Sequence, residues 1–74
     1  MKPSIKEILE VLKTKIDTNN EWIMSVKFIA DKLEQPYNDV YRQISRMKET
    51  KFITIDERIV KGLKVQVLTL IYGV

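Results

Sequence analysis

The sequence predicts a small α+β fold, with three helices, a three-stranded antiparallel sheet and a β-hairpin in one domain. Three stretches within residues 4–50 repeat apolar residues at the i, i+3, i+4, i+7 spacing of amphipathic helices. Two later stretches, within 52–72, have the composition of strands and meet at Lys61-Gly62. A chain of 74 residues has room for one core of modest size, so we assign residues 1–74 to a single domain.

The composition excludes several classes of site. The chain has no cysteine and no histidine, which excludes disulfides and ordinary thiolate or imidazole zinc sites. It contains no apolar run of roughly 18 residues, and its first residues do not resemble a signal peptide. We therefore expect a cytoplasmic protein with no metal, no cofactor and no membrane contact. The net charge of +3 and the pI near 9.3 permit a nucleic-acid partner without requiring one.

Catalytic constellations are also missing from the sequence. The serines have no base with a suitable partner, and Ser4 and Ser25 are better explained as helix caps. The acidic residues lack the spacing of a calcium loop or a two-carboxylate site, and the two glycines do not form a phosphate-binding loop. We expect that the protein is not an enzyme. We also find no residues for a small-molecule ligand and little room for a pocket.

The first helix is predicted over residues 4–16. Ser4 and Glu7 have the spacing of a capping box. The helix is interpreted as a core helix with a solvated outer face, and a dimer-forming helix is the alternative. Its apolar stripe consists of Ile5, Ile8, Leu9, Leu12 and Ile16. Residues 17–20 then form a turn by composition, and residues 21–24 a very short strand in which Trp22 is a packing residue.

Two further helices are predicted between residues 25 and 50. The first begins after Ser25 and buries Val26, Ile29, Ala30 and Leu33. Pro36 ends this helix region and suits the first turn of the next helix, 36–50. In that helix the buried stripe is Val40, Ile44 and Met47, and the opposite face carries Asn38, Arg42 and Ser45, with Tyr41 and Arg46 on its flanks.

The two strands of the hairpin are predicted over 52–60 and 63–72. With Val60 opposite Leu63, Ile55 opposes Leu68 and Ile53 opposes Leu70, on one face that would cover the helices. The other face would carry Phe52, Thr54, Asp56 and Arg58 opposite Ile71, Thr69, Val67 and Val65. The register stays open, because lysine is unfavourable as the first residue of a tight mirror-image turn.

A family resemblance appears at residues 25–53. The segment reads Ile29-Ala30-Asp31-Lys32-Leu33, a turn, Val40-Tyr41-Arg42-Gln43-Ile44, and a closing Phe52-Ile53. It resembles the helix-turn-helix of winged-helix DNA-binding domains of the kind found in MarR- and ArsR-type regulators. The likeness covers residues 5–72, with the helix-turn-helix at about 25–50 and the hairpin wing at about 52–72. The usual glycine is missing from the turn, and Tyr37 and Asp39 replace small hydroxyl residues.

In the winged-helix arrangement, the last strand lies centrally, between residues 22–24 and the strand that begins at Phe52. This position suits the strand, because residues 65–74 carry no charge and would be an aggregation hazard at a sheet edge. Its outward side chains, Val65, Val67 and Ile71, would still be partly wet. A homodimer and coverage by the amino terminus are two open explanations.

The resemblance implies sequence-specific binding of double-stranded DNA, with helix 36–50 in the major groove and the wing, 58–64, on the backbone or in the minor groove. Asn38 and Arg42 lie one turn apart and suit adenine and guanine edges. The complete expected set of DNA-binding residues is Lys27, Tyr37, Asn38, Tyr41, Arg42, Ser45, Arg46, Arg58, Lys61 and Lys64.

Three functional interpretations follow from these residues. The favoured one is a transcriptional regulator, with repression favoured over activation, whose affinity needs two copies on adjacent half-sites. The alternative is a winged-helix protein–protein interaction module in a replication or assembly complex, in which Tyr37, Tyr41 and the apolar strand face form the interface. An effector-sensing switch finds no support in the sequence.

Overall fold

The computed structural model describes residues 3–71 as three α-helices and one three-stranded antiparallel sheet. This part of the structure confirms the expected α+β class. The sheet order is β1-β3-β2, so the third strand in the chain is the central one, as expected. The elements in chain order are α1 (Ile5–Lys13), β1 (Glu21–Ile23), α2 (Val26–Leu33), α3 (Tyr37–Glu49), β2 (Ile53–Val60) and β3 (Leu63–Leu70).

Helix α1 begins with the expected capping box. The Ser4 hydroxyl oxygen accepts from the Glu7 backbone N–H at 3.1 Å, and the Glu7 carboxylate accepts from the Ser4 N–H at 3.1 Å. The helix ends at Lys13, earlier than the expected residue 16. Thr14 stops it, because its hydroxyl turns back to donate to the Val11 carbonyl oxygen at 2.6 Å. Ile16 therefore packs against the core from the following turn.

The turn between α2 and α3 closes without glycine. The hydroxyl of Ser25 caps α2 by accepting from the Phe28 N–H at 3.1 Å. At the other end Glu34 has φ 54°, in the left-handed region that glycine usually occupies. The Gln35 N–H then donates to the Ala30 carbonyl at 3.0 Å, which satisfies an open carbonyl of the helix. Pro36 precedes the first residue of α3.

The hairpin has the register that sequence reasoning left open. Ile53 pairs with Leu70, Ile55 with Leu68 and Val60 with Leu63. Lys61 and Gly62 form the turn with φ of 52° and 80°, so the lysine takes the unfavourable left-handed position. Its cost of about 1–2 kcal/mol is smaller than the gain from burying the hairpin's apolar root, because a shifted register would expose those side chains.

The position of two apolar groups differs from the prediction. Strand alternation places Val60 and Leu63 on the outer face with Arg58, and not on the face of Ile53 and Ile55 that covers the helices. Both are exposed, by 37% and 68%. Conversely, Val67 on the outer face is buried, although partial exposure to solvent was predicted. Val65 beside it is half-buried and Ile71 is exposed.

The core lies between the three helices and the inner face of the sheet. The predicted α3 stripe is confirmed, because Val40, Ile44 and Met47 are all buried. In α2 the stripe is buried at Val26 and Ile29, and Leu33 is half-buried against the core. Trp22 packs at the edge, edge-to-face on Phe28 with ring centroids 5.9 Å apart. The remaining core side chains are Ile8, Val11, Leu12, Ala30, Ile53, Leu68 and Leu70. No helix within residues 3–71 is long and apolar enough to cross a bilayer. Tyr72, at the end of the predicted last strand, lies outside the described residues.

Candidate nucleic-acid interface

The outer face of α3 presents the two residues expected to contact bases. Asn38 and Arg42 are both exposed, and Ser45, one turn further along, is half-buried. The opposite side of the helix packs in the core through Val40, Ile44 and Met47. The local sequence thus fixes which side of α3 faces outward, because any rotation would bury Arg42 and expose the stripe. The three polar side chains lie along one line of the helix.

Two arginines of α3 stay available for a ligand. Arg42 and Arg46 are exposed and form no ion pair with any residue between 3 and 71. They line a small surface cavity of about 60 Å³ together with Asp39 and Gln43. A guanidinium has five N–H donors in a planar fork, which matches phosphate oxygens or the guanine edge.

The amino-terminal end of the described chain lies against α3. The Gln43 side-chain amide donates to the Pro3 carbonyl oxygen at 2.7 Å, and Pro3 itself is fully buried. This contact joins residues forty positions apart and was not evident from the sequence. Pro3 therefore packs on a flank of α3, and the expectation that the amino terminus covers the outer sheet face finds no support in this contact.

Lys27 lies at the start of α2 and forms an ion pair with a neighbouring carboxylate. Its ammonium group is 2.9 Å from the Asp31 carboxylate, one helical turn away. The hydrogen bond to Asp31 raises the pKa of Lys27, so the lysine stays charged. Both side chains are largely exposed, and such surface pairs hold together weakly. Contact with a phosphate would therefore require Lys27 to exchange Asp31 for the new anion.

Arg58 forms a two-hydrogen-bond ion pair, whereas Lys27 makes a single contact with its carboxylate. Its guanidinium donates to both carboxylate oxygens of Glu21, at 2.7 and 3.1 Å. Glu21 lies in β1 and Arg58 in β2, so the pair crosses the central strand on the outer face, near Val67. The hydrogen bond from Arg58 lowers the pKa of Glu21, and the same bond raises the pKa of Arg58. Of the three cations expected in the wing, Arg58 is thus the one with a complete bidentate partner.

We expect the Arg58–Glu21 pair to make the folding stability depend on pH below about neutral. The pKa of Glu21 lies below its ordinary value of 4.5 in the folded chain, so the pair stabilises the fold above that pH. This contribution is lost as the pH falls through the lowered pKa. Thermal unfolding followed by circular dichroism from pH 7 to pH 3 measures it. The wild type should exceed Glu21→Gln in Tm near pH 7, and the difference should shrink as the pH falls below 4.5.

Arg58→Ala provides the control for this experiment. In that background, Glu21→Gln should no longer produce a Tm difference that closes on acidification, because the partner that lowers the Glu21 pKa is gone. A difference of unchanged size in the Arg58→Ala background would contradict the assignment. The effect is small in either case, since the pair is solvent-accessible.

The distal half of the hairpin extends beyond the core. Every residue of β2 from Asp56 onward is exposed, as are Leu63, Lys64 and Gln66 in β3. Ile59 and Leu63 are 72% and 68% exposed, and they lie on opposite faces of the hairpin. Lys61 occupies the turn, and Lys64 lies 3.9 Å from the Glu57 carboxylate. The tip therefore exposes more apolar surface than predicted, and two of its three cations lie near carboxylates.

A surface groove lies beside α3 that the sequence did not predict. It has a volume of about 390 Å³, and its lining combines two lysine side chains with a mainly apolar wall. The lining residues are Lys48, Lys51, Ile53, Thr54, Ile55 and Ile71. The expectation of little room for a pocket is therefore corrected. The basic pair at the end of α3 is the sequence signal that could have indicated this groove. Lys48 lies in the last turn of the helix, and Lys51 lies just beyond it.

The structure places the expected DNA-binding residues on three elements. Asn38, Arg42, Ser45 and Arg46 share α3 with an exposed tyrosine pair, Tyr37 and Tyr41. Lys27 belongs to α2, and the other three expected residues belong to the hairpin. No protein-family model, curated protein or solved structure matches the chain.

Proposed function

We propose that the chain is a winged-helix domain that binds double-stranded DNA in a sequence-specific manner and regulates transcription, with repression by occupancy as the simplest mode. One observation carries this proposal. The outer face of α3 presents Asn38 and Arg42 one turn apart and exposed, and Arg42 forms no ion pair with any residue between 3 and 71. A helix with this pattern, held by a second helix across a tight turn, has the dimensions that a major groove of about 12 Å accepts.

In the proposed complex α3 enters the groove with its amino-terminal half toward the bases. Asn38 pairs with adenine and Arg42 with guanine, each through two hydrogen bonds. Arg46 and Ser45 contact the sugar-phosphate backbone. Lys61, at the exposed hairpin turn, provides a cation toward the neighbouring backbone or minor groove. Lys27, Arg58 and Lys64 join only by leaving their present carboxylate partners.

Titration of the purified chain with a labelled random duplex pool tests the proposal. We expect binding in dilute salt that weakens as salt rises, followed by enrichment of a defined site on repeated selection. Three of the six cations in the expected DNA-binding set lie near carboxylates, so the salt slope of a single copy should be shallow. Useful affinity then requires two copies on half-sites about 34–36 Å apart. Absence of any binding at low ionic strength would refute the proposal.

One observation favours a second candidate function, a protein–protein interaction module. The hairpin tip exposes Ile59 and Leu63, while two of its three cations lie near carboxylates. An apolar tip of this kind suits a protein partner. The two functions separate by salt: retention on duplex DNA that is lost with rising salt supports the regulator, and salt-independent capture of a protein supports the module.

Lys61→Ala is expected to weaken binding to all duplex sequences alike, by a few-fold. The residue has no hydrogen-bonding route to base edges in the major groove from the hairpin turn, so it contributes charge and no sequence information. The salt slope should fall by about one because one phosphate contact is lost. Fluorescence anisotropy with a selected site and a scrambled site gives both quantities.

Lys6→Ala in α1 is the matched control for this substitution. It removes the same charge from an exposed position of a different element. Screening over about 8 Å at physiological salt limits its effect on DNA bound at the hairpin. Equal losses in the two variants would show that Lys61 acts only through net charge.

A further inference from the structure

The exposed flank of α3 carries two stacked tyrosines. Tyr37 and Tyr41 lie one turn apart, with ring centroids separated by 6.4 Å and ring planes only 6° from parallel. This separation is within the range of favourable aromatic pairs. Each tyrosine is 53% exposed, so the pair contributes little to the core. The stack therefore places two nearly parallel aromatic rings side by side on the helix surface, and about half of the surface of each tyrosine remains in water.

The stack adjoins the residue expected to read guanine. Tyr41 directly precedes Arg42, and Tyr37 directly precedes Asn38. Each tyrosine is thus the sequence neighbour of a polar side chain on the outer face, displaced by about 100° around the helix axis. In the proposed complex, a ring at this position meets the floor or wall of the major groove beside the base that its neighbour contacts.

The major groove offers few apolar partners for such rings. Its base edges present hydrogen-bond donors and acceptors, and the C5-methyl group of thymine is the apolar group among them. A tyrosine side chain has only two χ angles, so it loses little conformational entropy when its ring contacts this methyl group. The ring carbons and the methyl group then leave water together, which favours binding.

We infer that the Tyr37–Tyr41 stack recognises a 5-methylpyrimidine, thymine in ordinary DNA, beside the bases read by Asn38 and Arg42. This inference rests on the proposed function, since it requires α3 to lie in the major groove. It assigns the stack a part in specificity, and it differs from a phosphate contact through the tyrosine hydroxyl because it needs the rings alone.

Replacement of thymine by uracil in a selected duplex site tests the inference. The change removes one methyl group and keeps base pairing and the O4 acceptor. Each thymine of the site is replaced in turn, and the dissociation constant is measured for every duplex. We expect one or two positions at which the wild type binds about three- to fivefold more weakly, the size expected for one buried carbon group.

Two double variants distinguish the rings from their hydroxyl groups. Tyr37→Gln combined with Tyr41→Gln removes both rings from exposed helix positions, and its folding is checked by circular dichroism. This variant should bind the thymine and uracil duplexes equally. Tyr37→Phe combined with Tyr41→Phe keeps both rings, and it should retain the uracil effect whatever its overall affinity.

Three results would overturn the inference. The first is a wild type that binds its selected duplex but tolerates every uracil, which leaves DNA binding intact and removes methyl recognition. The second is a uracil effect that persists in the glutamine double variant, which assigns the methyl group to another residue. The third is tighter binding to the single strand than to the duplex, which points to base stacking instead. A wild type that binds no duplex refutes the proposed function itself, so the two failures are distinguishable.

Discussion

Leu68→Ala is expected to lower the free energy of unfolding by about 2–5 kcal/mol, a large fraction of the total stability of a small domain. Leu68 is fully buried and lies in the central strand, where it pairs with Trp22 on one side and Ile55 on the other. The substitution leaves a cavity that its neighbours fill only partly, because both sides of the strand are held by sheet hydrogen bonds. Urea unfolding followed by circular dichroism measures the loss.

Leu63→Ala is the matched control for that experiment. Leu63 belongs to the same strand and is 68% exposed at the hairpin tip. Its truncation should change the free energy of unfolding by no more than about 0.5 kcal/mol, because little apolar surface leaves water there on folding. Similar losses in both variants would contradict the arrangement in which β3 is buried at its root and exposed at its tip.

Arg42→Ala is expected to abolish the guanine-dependent part of the preference for a selected DNA site while leaving weak binding to any duplex. A bidentate arginine–guanine contact contributes about 1–3 kcal/mol of discrimination, which corresponds to roughly 5- to 150-fold in affinity for the preferred site. Non-specific binding should fall much less, since it depends on the remaining cations. Gel-shift titration with the selected site and a scrambled site measures the ratio of the two affinities.

Two further variants define what Arg42 contributes. Arg42→Lys keeps the charge and loses the planar fork, so it should lose sequence preference with little change in the salt slope. Arg46→Ala removes an exposed arginine one turn further along α3 and should weaken both duplexes in the same proportion. Undiminished site preference in Arg42→Ala would remove the central residue of the proposed interface.

Local patterns predicted the helices and the two hairpin strands because their physical causes are local, whereas the central position of β3 was expected from the winged-helix resemblance. Ser4 and Ser25 signal helix starts through hydroxyl groups that reach backbone N–H groups three residues on. The stripe of Val40, Ile44 and Met47 determines which side of α3 is buried, and so which side presents Arg42. The candidate face of α3 was therefore accessible from residue spacing alone.

The contacts that escaped prediction join residues distant in sequence. Neither the Arg58–Glu21 pair nor the Gln43–Pro3 hydrogen bond has a local signature, since both depend on how strands and helices are placed against one another. The Arg58 pair also changes the candidate site, because it engages a cation that the winged-helix resemblance assigned to DNA contact. Val60 was placed on the wrong face for a different reason: its apolar character favoured burial, whereas strand alternation directs it outward.

The position of β3 between β1 and β2 has a consequence for how the chain acquires its structure. During synthesis both outer strands emerge before the segment that supplies their hydrogen-bonding partners. The sheet therefore assembles late, after closure of a long loop between β1 and β3, while the helices depend mainly on nearby residues. Until Leu63–Leu70 leaves the ribosome, the nascent chain has no sheet to cover its apolar helix stripes, and it is most exposed to chaperones and proteases in that interval.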